Sequence, residues 1–435
     1  MGNYFPDEII AEILIRLAVK SLVRFICVNK AWCSIISNPN FASAHVAHTN
    51  RSHNNNTDQP TLLLAVSCEA LEYANHRRKF TTTVITPCLG KRVIDGQDQS
   101  TKSFDLHEQL KFSYKSLKHF ELVGSCNGLV LIKRYIDTLL LWNPLLGKSV
   151  PLPKPDNIGY EEHQMRSTGW GFGFDSQTYD YKVVKIVFLE NNSGEKLDSV
   201  VQVFSLATGD WKSFRVGAPA CSLSYRGLAP TIGCAPIQRL IHRRPQPFIN
   251  GAIHWLASAR SSKPASYGYR HLVLSFDISN EIFREIMLPE KVAYLFPPLL
   301  SISVYGKSLA VCCSSSDSFQ HSLWVMKEYG EVESWTQVLI GPNIPKPLGF
   351  TTGGEVVWKT GSGIALYDPK KPKIMNHSVE GRYCFAGSYM ESLVLLDPTK
   401  RESKKGNRRA TKQKIVIDYL ETTIKRVIKK RKGRI

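Results

Sequence analysis

No stretch of this sequence approaches the ~18 consecutive apolar residues that a membrane-spanning helix needs, and no two of its 10 cysteines are spaced C-x-x-C. The first absence predicts a chain without a transmembrane segment. The second removes the common zinc and dithiol redox motifs, leaving reduced cysteines as small core residues. Acids are also scarce, with 37 Asp and Glu against 56 Lys and Arg, a formal charge of +19. The excess is uneven: residues 400–435 hold 15 basic residues and three acids, which leaves +7 for the 399 residues before them. The basic balance therefore describes a tail more than a nucleic-acid-binding body. A secretory leader is not expected, because Asp7, Glu8 and Glu12 stand where positive charge would precede an apolar stretch. Pro6 occupies the position at which a myristoylation signal needs Ser or Thr.

The first 48 residues carry a helical period. Ile9, Ile10, Ile13, Leu14 and Leu17 share one side of a helix entered at Pro6, while Glu8, Glu12 and Arg16 share the other, with Ile15 on the charged side. After a break near Ala18, residues 19–27 allow one or two short turns. Val28, Trp32, Ile35 and Ile36 then repeat at i, i+4, i+7 and i+8, predicting a second amphipathic helix that ends before Asn38-Pro39. A short last helix is expected from Phe41 to Val46. Such a unit is too small to bury much surface by itself, so its leftover apolar faces call for a partner.

Residues 49–60 are polar and rich in Asn, and read as a linker. From 61 to 399 the period changes to two, in short β-type runs separated by Gly, Pro, Asn and Asp. A unit recurs there: an apolar strand with an aromatic anchor, a polar turn, and a second strand, preceded each time by a Gly-containing strand. The anchors Trp142, Phe204, Phe276, Trp324 and Tyr367 lie 62, 72, 48 and 43 residues apart. Repeats of this length with three or four strands each predict blades of a β-propeller. Five blades are visible. The runs 62–66, 80–86, 104–106 and 120–123 with 383–396 supply a sixth closed by both termini, so six blades are expected within a range of five to seven. A β-sandwich is the competing architecture, and it does not require a repeat.

FPDEIIAEILIRLAVKSLVRFICVNKAWCSIISNPNF (5–41) resembles an F-box. GSCNGLVLI, LLLWNPLLGKSVPLP, GFGFDSQTYDYKVV, INGAIHWLA, LVLSFDISNEIFREI, LWVMKEYGEVESWTQV and SYMESLVLL resemble the F-box-associated, kelch-like domain that accompanies it in plant proteins. The resemblance implies a small all-α F-box module (1–48), an all-β propeller-like domain and a basic tail (400–435). It further implies a non-catalytic receptor of a ubiquitin ligase. A Skp-type adaptor, and through it a cullin, would dock on Phe5, Pro6, Ile9, Ile13, Leu14, Ile15, Leu17, Val19, Leu22, Val28, Trp32 and Ile35, while the β-domain binds an unknown target protein for ubiquitination. Phe5 and Ala18 depart from the pattern, which prefers Leu and Pro at those places.

No catalytic, cofactor or metal constellation is expected. GWGFG (169–173) has the glycines of a phosphate loop but runs into a strand and turn rather than a helix. Cys126 in GSCNG lacks a nearby base, and Asn127-Gly128 reads as a turn. His45 and His48 are expected as solvated helix-end residues, and His254 as a satisfied core histidine. A glycan-processing propeller would need paired carboxylates in a cleft, and the sequence offers no matched pair. In the tail, Val416, Ile417, Leu420, Ile424, Val427 and Ile428 form one stripe if helical. Its basic residues Lys404, Lys405, Arg408, Arg409, Lys429, Lys430, Arg431 and Lys432 fit a nuclear import receptor, nucleic-acid phosphate or an anionic membrane surface, and equally a solvated terminus. The alternative function is thus a nucleic-acid-binding adaptor acting through the tail. The expected location is nucleus and cytoplasm.

Overall fold

The computed structural model describes residues 6–394, apart from 56–61, 70–78, 95–96, 114–119, 135–137, 157–163, 191–196, 218–220, 224–244, 263–268, 296–299, 315–320, 340–346, 361–363, 370–372 and 378–382. The expectations for Phe5 and for the basic tail fall outside the described residues. The chain forms two compact units.

The helical unit contains α1 (Asp7–Leu14), α2 (Val19–Phe25), α3 (Lys30–Ile36) and α4 (Pro39–Asn55). Asp7 and Glu8 place negative charge at the positive end of α1. Asn29 caps α3 by accepting the Trp32 amide at 2.8 Å. The last helix differs from expectation: it continues past Val46 through the first half of the stretch read as linker. Its start is set by Pro39 and by Asn38, whose Oδ1 accepts the Asn40 amide at 2.9 Å. No Pro or Gly follows before Asn55 to stop it. Val28 also departs from expectation. The cap at Asn29 begins a new helix, so Val28 lies outside α3.

The β unit is built from six sheets among the described residues, five of four strands and one of five. The first holds β1 (Leu62–Glu69), β2 (Lys79–Ile94) and β3 (Gln97–Ser113). The second is β4 (Phe120–Cys126), β5 (Leu129–Arg134), β6 (Thr138–Asn143) and β7 (Lys148–Pro151). The third is β8 (Gln164–Asp175), β9 (Asp180–Glu190), β10 (Ser199–Ser205) and β11 (Trp211–Val216). The fourth has a divided inner edge, β12 (Cys221–Leu223) and β13 (Phe248–Ile249), followed by β14 (Ala252–Arg260), β15 (Tyr269–Asp277) and β16 (Ile282–Met287). A short α5 (Glu290–Ala293) leads to the fifth, β17 (Leu300–Tyr305), β18 (Ser308–Ser314), β19 (His321–Met326) and β20 (Trp335–Leu339). The sixth is β21 (Pro347–Phe350), β22 (Val356–Lys359), β23 (Ile364–Asp368) and β24 (Lys373–His377). Then β25 (Tyr383–Tyr389) returns to pair with β1, in the order β25-β1-β2-β3. Both ends of the β unit therefore share the first blade, which closes the ring.

This is the propeller expected from the repeat, and all five aromatic anchors lie on the third strand of their blades. One boundary moves: residues 120–123 belong to β4 of the second blade. They turn directly into β5 through Asn127 and Gly128, whose φ values of 46° and 80° make the primed hairpin turn.

The core lies between blades. Val273, Leu288, Leu309 and Met326 join the fourth to the fifth, and Ala310, Val325, Val356 and Trp358 the fifth to the sixth. Leu122, Val130 and Trp142 of the second blade pack with Tyr389 of β25. Tryptophans add directed bonds to these apolar seams. Trp255 Nε1 donates to the Trp170 carbonyl at 2.9 Å, and Trp335 Nε1 to the Met287 carbonyl at 3.0 Å. Because every blade is an antiparallel meander, the first-to-second and third-to-fourth turns share one face of the ring. The remaining connections share the opposite face.

Candidate functional site

In the helical unit, Leu14, Val19, Leu22, Ile36, Phe41 and Val46 are buried and form the core, with α3 packed on both α1 and α2. Three of the residues expected to dock an adaptor, Leu14, Val19 and Leu22, are therefore buried in this core. Their contribution is to hold the helices in place. Trp32 and Ile35 are half-buried, as are Ile15 and Leu17. The Trp32 ring meets Phe25 edge-on, with centroids 5.2 Å apart. Pro6 is exposed, and Ile9, Ile13 and Val28 are 47%, 55% and 57% exposed. The apolar stripe of the first helix thus divides: Leu14 turns inward, while Ile9 and Ile13, one turn apart, face away from the core.

His45 overturns the expectation of a solvated histidine. It is buried, and its Nε2 lies 2.8 Å from the Leu17 carbonyl. A carbonyl only accepts, so Nε2 carries the proton and donates. Burial lowers the pKa of this ring, with partial compensation from the Leu17 bond. The signal was present in the sequence, since Phe41, Ala42, His45 and Val46 are spaced to share one side of a helix.

Ala18 begins α2 with φ −61° and ψ 143°, and among the described residues its N–H has no acceptor. Proline would fit this backbone without losing a bond. Ala18→Pro should raise the stability of the helical unit by about 0.4–1 kcal/mol by restricting the unfolded chain. Urea denaturation of the two proteins checks this, and a loss of stability would show that the turn needs other dihedrals.

In the propeller, GWGFG lies inside strand β8. A Cβ on Gly171 would come within 2.5 Å of Ile253 Cγ2, so the residue is small because the neighbouring blade approaches closely. Burial raises the pKa of Cys126 and keeps it a neutral thiol. His254 is fully buried, as expected of a core residue, with Nδ1 3.4 Å from the Pro247 carbonyl and Nε2 2.7 Å from Tyr329 Oη. The carbonyl fixes the proton on Nδ1, so Tyr329 donates to Nε2.

The least expected group is Asp175 at the end of β8. Its Oδ2 accepts from Lys182 Nζ at 2.6 Å and Thr178 Oγ1 at 2.8 Å, and its Oδ1 from Ser279 Oγ at 2.6 Å and the Gln177 amide at 2.9 Å. Burial opposes its charge, but these four donors outweigh burial and hold the carboxyl well below the usual range. Lys182 also donates to the Ile278 carbonyl at 3.2 Å, which ties the third blade to the fourth. The arrangement is a structural ion pair satisfied by these donors. Among the described residues no group of His, Cys, Asp and Glu is placed to hold a metal ion, and no helix is long and apolar enough to cross a membrane.

Comparison with known proteins agrees with this architecture. An F-box domain matches residues 4–43, and an F-box associated beta propeller domain matches residues 92–381. The chain is similar to F-box/kelch-repeat protein At3g23880 of Arabidopsis thaliana, 26% identical over 373 residues covering 83% of this chain and 87% of that one. It is also similar to F-box protein At3g07870 of the same plant, 28% identical over 358 residues and covering 79% and 74%. F-box protein CPR1, again from Arabidopsis thaliana, is 25% identical over 385 residues and covers 87% and 82%. Among solved structures, the Penicillium chrysogenum alpha-L-arabinanase covers 75% of this chain and 88% of its own, at 8% identity and a TM-score of 0.34. That likeness is too distant to bear on activity. With an F-box ahead of a propeller that matches the family over most of the chain, this protein belongs to the plant F-box proteins with an F-box-associated β-propeller domain.

Proposed function

We propose that the protein is a non-catalytic substrate receptor of a Skp–cullin–F-box ubiquitin ligase. The observation that carries the reading is the exposure of Ile9 and Ile13 together on α1, over a core already filled by other side chains. Apolar groups left in water on so small a unit suit burial by a partner. A Skp-type adaptor is the partner this family places there, and the adaptor brings the cullin. The propeller holds a target protein, and the receptor works by proximity. It raises the effective concentration of an acceptor lysine near the conjugating enzyme without donating an acid or base of its own. The basic residues from Lys404 onward support nuclear entry, and the receptor is assigned to nucleus and cytoplasm. No further observation favours the nucleic-acid-binding alternative.

Ile13→Lys tests the docking face with little disturbance of the fold, because the side chain is mostly exposed and outside the buried core and a basic group near a helix C-terminus is tolerated. Adaptor affinity of the full chain should fall at least tenfold, or about 1.4 kcal/mol, with unchanged circular dichroism and melting. Equal binding by the variant would overturn the assignment of α1 as the docking face.

A further inference from the structure

Four large apolar side chains of the propeller are exposed among the described residues: Tyr179, Ile282, Leu295 and Tyr329. All but Leu295 lie on the tight-turn face, and they do so on three consecutive blades. Tyr179 ends the turn from β8 to β9, Ile282 follows the turn from β15 to β16, and Tyr329 lies in the turn from β19 to β20. Exposed apolar groups scattered singly need no explanation, whereas a run across adjacent blades does.

The two tyrosines are held in place, and so is the turn that precedes Ile282. Tyr179 has φ 54° and packs edge-on against Phe174, centroids 6.2 Å apart. The Ser279–Asp175 bond joins the turns that carry Tyr179 and Ile282. Tyr329 is fixed by its bond to His254 and by ring contact with it at 5.6 Å. Aromatic side chains already fixed lose little freedom on binding, which is the property of an anchor.

Charge selects the kind of partner. Beside Tyr329, the exposed Glu328, Glu331 and Glu333 face one base in the same turn, Lys327. From the fourth blade, Arg284 and Asp277 act on Tyr329 with opposite sign, and Glu281 is paired with Lys212. The turn is thus net negative on a chain that is otherwise basic. We propose that the turn face of the third to fifth blades is the surface that takes the target, and that it binds a segment carrying both apolar and basic side chains. The proposal rests on the receptor reading and adds the location and chemistry of the target site. Apolar contact supplies affinity, and the glutamates steer and orient the basic groups.

The test is a display library of random twelve-residue peptides selected on the immobilised full chain, with adaptor binding measured in parallel on the same preparation. Selected peptides should be enriched in Lys or Arg together with Leu, Ile or aromatic residues. Their affinity should fall at least tenfold in the triple variant Glu328→Lys, Glu331→Lys, Glu333→Lys, and also in Tyr179→Asn with Ile282→Ser. Asn tolerates the positive φ at position 179, so these variants leave the fold and adaptor binding intact. Acidic peptides, no enriched peptides, or equal affinity for the variants would overturn the proposal while the adaptor result stands. So would a dimer in sedimentation that the glutamate variant dissolves, since a second copy would then occupy the face. Loss of adaptor binding in the wild-type chain would instead count against the receptor reading itself.

Discussion

Gly349→Ala should destabilise the propeller by at least about 3 kcal/mol, the upper end of the usual range for overpacking a core. Gly349 lies in β21 of the sixth blade, where a Cβ would fall 1.7 Å from the Ala386 carbonyl oxygen in β25. The obstacle is backbone, so no rotamer change removes it. Moving it means displacing β25, the strand that closes the ring by pairing with β1 from Leu62–Tyr389 to Ser67–Tyr383. Gly217 is the control, because a Cβ there meets nothing within 4 Å, and Gly217→Ala should change stability by less than about 0.5 kcal/mol. Urea denaturation of both variants decides the matter. Near-wild-type stability for Gly349→Ala would mean that the first and sixth blades do not meet as described.

The second large effect is a loss of propeller stability in acid through His254. Burial pushes its pKa down to about 4, against 6.5 for an unperturbed ring, with partial compensation from bonds to the Pro247 and Ala252 carbonyls. As pH falls through 6.5 the unfolded chain takes up a proton and the folded chain does not. The contribution of the neutral ring is therefore complete above pH 6.5 and is lost between there and about pH 4, amounting to about 3 kcal/mol. His271 is shifted the same way by burial and adds to the trend. His254→Gln retains a polar side chain at the site without a group that titrates. Its stability should change less between pH 7.5 and pH 4.5 than that of the wild type, by about 2 kcal/mol or more. Identical pH dependence in the two proteins would show that this ring does not control acid stability.

Much of the architecture is legible in local pattern. The helical period of residues 5–48, the change to period two after the linker and the recurrence of Trp142, Phe204, Phe276, Trp324 and Tyr367 each depend on neighbours within a few residues. Asn127-Gly128 was readable as a turn for the same reason, since its backbone preference is its own. The residues proposed to dock the adaptor were readable only as a group. Periodicity identifies which side chains are apolar on one side of a helix, but it does not separate Leu14, which is buried, from Ile13, which is exposed. That separation depends on where the other helices lie.

By itself the sequence determined the order of the two units, the all-α and all-β character of each, the blade repeat without its exact number, and the absence of a C-x-x-C motif. These follow from spacing and composition, which act over one turn of helix or one pair of strands. The tertiary structure alone decided which apolar residues are core and which remain exposed, that His45 is buried against Leu17, and that Asp175 and Lys182 bind across to Ser279 and Ile278. It alone placed Tyr179, Ile282 and Tyr329 on one face. The residues concerned lie 28 to more than 100 positions apart in several of these contacts. Helix packing brings Leu17 and His45 together, and closing the ring brings the propeller residues together, because packing of blade against blade is set by many seams and by no single segment.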